Sequence, residues 1–102
     1  MYNMKNLEKF KTLEVHAPEA MKAFLAFDKA AWDEGAIPRK YKELIAVAVA
    51  LTTQCPYCIE LHVERARKLD ASEPELAEVA LAAAALRAGS SITHGTHAMK
   101  GI

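Results

Sequence analysis

Between Leu44 and Leu51 the chain reads Leu44-Ile45-Ala46-Val47-Ala48-Val49-Ala50-Leu51, without one polar side chain. A helix apolar on every side has to lie at the centre of a fold or against another subunit. For a run this short, periodicity alone leaves buried strand and buried helix both open. Three features favour helix. The periodic segment reaches back through Tyr41 and Glu43, which is too long for an ordinary strand. Ala alternates with Val, and Ala is the strongest helix former. No hairpin turn signal lies nearby.

The remaining segments read the same way. Lys5 to about Val15 forms a short first helix, with Leu7, Phe10 and Leu13 on one side. His16-Ala17-Pro18 breaks it and opens a second, since Pro suits the first turn of a helix. Met21, Phe24, Leu25, Phe27, Ala31 and Trp32 recur there at helical spacing, and Gly35 is its stop. Pro38 opens a third helix that runs from Arg39 to about Thr52 and carries the apolar run. A fourth begins at or just after Cys55 and ends near Asp70. Ser72-Glu73-Pro74-Glu75 is a capping box for a fifth, Leu76 to about Ala88, which Gly89-Ser90-Ser91 ends or bends before the tail 92–99 resumes it. The fold class is all-α, in one domain spanning residues 1–102. Ala and Val bury little area each, so a chain this small is expected to complete its core by self-association.

Thirteen basic and thirteen acidic side chains leave no net charge and no block of either sign. Nucleic acid and anionic membrane, which demand a basic surface, are therefore not expected partners. The segment Met1-Tyr2-Asn3-Met4-Lys5 lacks a signal-peptide pattern, and no apolar run is expected to reach the roughly 18 residues of a membrane span. The expected location is the cytoplasm. A Cys-x-x-Cys there points to redox or metal chemistry, because reducing conditions disfavour structural disulfides.

Cys55 and Cys58, in Cys55-Pro56-Tyr57-Cys58, are the only cysteines. Placed on one helix, Cys55, Cys58 and His62 fall in a stripe roughly 60° wide. Cys58 and His62 are an i,i+4 pair, so His62 is placed to take the Cys58 proton. Cys55 sits in the first turn, where free N–H groups favour a thiolate. If the third and fourth helices form an antiparallel hairpin, Glu43 and His62 come to similar depth and a direct or water-bridged contact follows. A carboxylate in so apolar a helix needs such a partner. Its role is to orient the base.

Other readings stand beside this one. The cysteines could be an inert pair, or could bind metal with His62 and a fourth ligand from His94 or His97, although no second Cys-x-x-Cys completes the usual zinc pattern. Cys-Pro-Tyr-Cys is also a glutaredoxin signature, but the later segments are helical and Pro74 opens a helix, which refuses that fold. Tyr57 is expected to pack at the mouth of the site. His94 and His97 are placed to line a site or an interface, a neighbouring subunit's included. Trp32, Phe24 and Phe27 read as core or interface, and Arg65, Arg67 and Lys68 as a solvated face.

Glu43, then Cys55-Pro56-Tyr57-Cys58, then His62, on an Ala-rich helical chain, resembles the alkylhydroperoxidase AhpD-like branch of the carboxymuconolactone decarboxylase superfamily. The resemblance is strong over residues 38–70 and looser over Leu86-Arg87-Ala88-Gly89. It implies a homo-oligomer, trimer or hexamer, and thiol-dependent reduction of an organic or hydrogen peroxide with no cofactor and no metal. By that resemblance Cys58 is the peroxidatic thiol, His62 deprotonates it and Glu43 supports His62. Cys55 resolves the sulfenic acid into a disulfide, which a dithiol or protein reductant reopens. Active relatives can carry His just before the second cysteine; here that position is Tyr57. A non-catalytic oligomeric redox sensor or disulfide-exchange module would use the same dithiol, and a metal-binding module is the further alternative.

Overall fold

The structure, a computed structural model, describes residues 1–101, which contain helices and no strand. A 3-10 helix (Met4–Lys9) leads into α1 (Phe10–His16), followed by α2 (Pro18–Trp32), α3 (Arg39–Thr53), α4 (Pro56–Lys68) and α5 (Glu73–Gly95), with a last 3-10 turn over Thr96–Ala98.

Local chemistry sets the boundaries. Ala17 leaves helical geometry at φ −140° and ψ 62°, and Pro18 starts α2. α3 stops where Gln54 turns left-handed at φ 57°. Only Gln54 and Cys55 separate α3 from α4, which makes the two an antiparallel hairpin. α4 ends as Asp70 turns left-handed (φ 67°) and the Ala71 N–H reaches back to the Ala66 carbonyl at 3.0 Å. Ser72 then caps α5 reciprocally with Glu75. The Lys40–Glu75 ion pair, 3.0 Å, ties the start of α5 to α3. α3 is therefore the central helix, with α4 and α5 packed against it and α1 against α2.

The core of the single chain is small. Ala46, Val47 and Ala50 of α3 and Ala66 of α4 are the buried apolar residues, and Glu43 is buried with them. Positions 43, 46, 47 and 50 form one stripe of α3. Ile45 and Val49, on its other faces, stay about half exposed, and α5 buries nothing fully. The radius of gyration is 17.4 Å, with a longest extent of 56 Å. A compact chain of about 100 residues has a radius near 13 Å.

Two expectations are corrected. The first helix is divided at Lys9–Phe10 into a 3-10 and an α segment. Gly89-Ser90-Ser91 neither ends nor bends α5, which continues to Gly95: glycine weakens a helix by its backbone entropy without forbidding it, and α3 supports the first part of the helix. The segment Glu73–Ala98 is long and apolar enough to cross a membrane by length and mean hydropathy alone, although charged and polar residues interrupt it and no uninterrupted apolar run in it reaches that length. Its alanines and leucines outweigh the charges of Glu73, Glu75, Glu78 and Arg87 within it. None of the apolar window is buried within the chain.

Candidate active site

The short α3–α4 connection puts the cysteine pair at the start of α4. Gln54 reverses the chain, and the Cys55 N–H donates to the Ala50 carbonyl at 3.2 Å. Cys55 is the N-cap of α4, with its sulfur accepting the Cys58 N–H at 3.3 Å, and Pro56 takes the first helical position. The two sulfurs are joined as a Cys55–Cys58 disulfide across a Cα separation of 5.3 Å.

One turn after Cys58, His62 points back to α3. Its Nδ1 lies 2.6 Å from Glu43 Oε2, a direct hydrogen bond. In the tautomer with the proton on Nδ1, that nitrogen donates to the carboxylate and Nε2 is the basic nitrogen of the ring. Glu43 has no exposed side-chain surface. Its second oxygen, Oε1, has no hydrogen-bond partner, and the guanidinium of Arg39, one turn earlier on α3, approaches it at 3.8 Å. The Trp32 ring lies 5.3 Å from the His62 ring, centroid to centroid, and is held by its Nε1–H bond to Asp28 Oδ1 at 2.9 Å.

Cys58 and His62 face two cavities. One of about 430 Å³ is walled by Leu7, Phe10, Phe24, Leu25, Tyr57 and Leu61, with Asp28 and Arg65 also on its lining. The other, about 180 Å³, lies toward α3 and is walled by Trp32, Ala46, Val49, Ala50 and Thr53. Tyr57 does line the larger cavity, but its hydroxyl is taken up by the N-terminal segment. It accepts from Asn6 Nδ2 at 2.9 Å and donates to the Met1 carbonyl at 3.2 Å, while Tyr2 packs edge-on against its ring.

Thus Glu43, Cys55, Cys58 and His62 come together. His94 and His97 do not join them on either cavity; their rings lie 5.8 Å apart at the exposed end of α5. Among the described residues, no group of three or more His, Cys, Asp or Glu side chains is arranged to hold a metal ion. Sequence reasoning missed Trp32 and Arg65 as site neighbours. The i,i+3 spacing of His62 and Arg65 was the available signal for the latter.

A helix hairpin that presents a vicinal thiol pair beside a carboxylate-held histidine defines a class of small all-α thiol proteins. The model of the carboxymuconolactone decarboxylase family matches residues 18–101, and the chain belongs to that family, within which its fold is AhpD-like. It is 46% identical over 77 residues to uncharacterized protein 4 in the cox locus of Paracoccus denitrificans, covering 76% of this chain and 69% of that one. An uncharacterized protein of Cupriavidus necator is 44% identical over 62 residues, which cover 61% of this chain and 55% of that protein. Among solved structures, a protein from Methanobacterium thermoautotrophicum superposes with a TM-score of 0.78 at 34% identity, covering 83% of this chain and 96% of that one. A carboxymuconolactone decarboxylase family protein from Legionella pneumophila superposes with a TM-score of 0.74 at 34% identity, covering 88% and 80%.

Proposed function

We propose that this chain is a thiol-dependent peroxidase, a peroxiredoxin-type oxidoreductase that reduces organic or hydrogen peroxide through its Cys55/Cys58 pair. The observation that carries the reading is the 2.6 Å His62–Glu43 bond on the helix that presents Cys58, beside an apolar cavity. In the reduced protein His62 Nε2 takes the Cys58 proton. The thiolate attacks the terminal peroxide oxygen, the O–O bond breaks, and the alkoxide leaves as alcohol, or as water from hydrogen peroxide, on taking up a proton. Cys58 is left as sulfenic acid. The Cys55 sulfur displaces that hydroxyl as water and closes the disulfide. An external dithiol then reduces the disulfide by exchange and is itself oxidised. Resetting the cycle requires a reducing compartment, in keeping with the cytoplasm.

The working unit we propose is a homo-oligomer, trimer or hexamer, in which the half-exposed faces of α3 and the apolar length of α5 are covered by other copies. The test of function is intact-mass analysis of fully reduced protein before and after one equivalent of an organic peroxide. Complete conversion to the Cys55–Cys58 disulfide, lost in Cys58→Ser, with repeated turnover once a dithiol is added, is expected. Thiols that remain unmodified would sink the peroxidase reading. Oxidation that never turns over with dithiol would make the pair a sensor.

A further inference from the structure

Three basic residues crowd the start of α3: Arg39, Lys40 and Lys42. No acidic residue occupies its first turn, and Pro38 supplies no side-chain cap. Positive charge at a helix N-terminus opposes the dipole. Each of the three has a compensating partner. Lys40 pairs with Glu75 of α5, and the Lys42 ammonium donates to the carbonyls of Ala31 and Asp33. Arg39 has Glu43.

Glu43 needs that partner. A buried carboxylate is costly unless opposite charge and hydrogen bonds answer it. His62 answers Oε2, whereas Oε1 is buried with no hydrogen-bond partner. The Arg39 Nε, 3.8 Å away, is the one permanently charged cation within ion-pair reach of Glu43 among the described residues. The other charged groups near by line the adjoining cavity of about 330 Å³ with Arg39: Asp28 and Lys29 from α2, Asp33 just past its end, and Arg65 from α4.

We infer that Arg39 is a positioning residue for the Glu43–His62 pair, fixing the free oxygen of Glu43 and opposing uptake of a second proton by the pair, so that His62 Nε2 stays available as a base. The inference rests on the proposed peroxidase reading for its purpose, but not for its measurement. A cation beside a proton-binding pair lowers its proton affinity, so removing Arg39 raises it. The guanidinium is 44% exposed and therefore partly screened.

The test compares wild type, Arg39→Ala, Arg39→Lys and Glu43→Gln, all reduced, with circular dichroism to establish that each folds. The first readout is the His62 ring signal by NMR against pH, with no peroxide present. In Arg39→Ala the ring is expected to gain its second proton at higher pH, a change in proton affinity of about threefold to tenfold, and Arg39→Lys is expected to restore most of it. In the Glu43→Gln background, adding Arg39→Ala is expected to have little further effect. The second readout is the rate of peroxide-driven disulfide formation, whose acid limb is expected to move up in step. Coincident His62 titrations in wild type and Arg39→Ala, or a shift to lower pH, would overturn the inference. If the titration shifts while no variant reacts with peroxide, the positioning role stands and the peroxidase reading fails. If the titration shifts while the acid limb of a reactive protein stays put, the claim that Arg39 serves the base is overturned.

Discussion

At the scale of single residues, the site is a short line: Cys58, then His62 one helical turn on and facing the same cavities, then Glu43 hydrogen-bonded to His62. The middle member is the one whose loss leaves an orphan. His62→Ala removes the donor to a fully buried carboxylate, at a cost of about 2 kcal/mol in denaturant unfolding. The double variant with Glu43→Gln will lose less than the sum of the two single losses, because the substitutions share one hydrogen bond. The proposed peroxidase cycle separates the two cysteines by role. Cys58→Ser will not react with peroxide, whereas Cys55→Ser will consume one equivalent and leave a Cys58 sulfenic acid that a dimedone-type probe captures. A Cys55→Ser protein that still closes an intramolecular bond would contradict the assignment of Cys55 as the resolving thiol. The register of Glu43, Cys55, Cys58 and His62 was readable because i,i+4 spacing and a two-residue turn convert sequence offsets into depth along a hairpin. The fate of the Tyr57 hydroxyl was not readable. Its partners, Asn6 and the Met1 carbonyl, are more than fifty positions away in the chain, and no local spacing encodes that approach.

At the scale of elements, α5 carries the clearest local signals. Its capping box has both reciprocal bonds, so Ser72→Ala will lower stability by about 1 kcal/mol. Glu75 is held below the usual glutamate range, first by the Ser72 backbone N–H and next by the Lys40 ammonium. A carboxylate with a depressed value stabilises the fold above its unfolded-state value, and that contribution disappears as pH falls through the folded value. Melting temperatures followed down through the acid range will therefore decline less steeply in Glu75→Gln than in wild type. Gly89, whose added Cβ would meet nothing within 4 Å, lies inside this helix. Gly89→Ala will stabilise by about 0.5–1 kcal/mol. Helix existence was legible from period and caps: Pro18, Pro38 and Ser72 all mark starts that the structure keeps. Less legible were the ends without a stop signal of their own. The change from 3-10 to α geometry at Lys9–Phe10 has no residue type that announces it, and a lone glycine does not distinguish a terminus from a tolerated interior position.

At the scale of the whole molecule, four buried apolar side chains among the described residues are a thin core. Leu81 and Leu86 of α5 are 71% and 77% exposed, and the radius of gyration exceeds that of a compact chain of this length. Light scattering behind size exclusion will give a mass several times 11.2 kDa. In the proposed oligomer association supplies burial that the lone chain lacks, so Leu81→Glu combined with Leu86→Glu is expected to shift the protein toward monomer with loss of cooperative melting. The sequence raises the same expectation, since the all-round apolar run 44–51 of α3 exceeds what neighbouring helices of so short a chain can cover.

The disulfide joins residues only three positions apart, inside a single helical turn. A cross-link restrains the unfolded chain in proportion to the logarithm of the loop it closes, and this loop is nearly the smallest there is. Closing it will consequently cost the unfolded ensemble less entropy than a long-range cross-link would. The bulk of the helical scaffold lies outside the loop that this bond closes, so opening or closing it would leave the rest of the chain without a new covalent constraint.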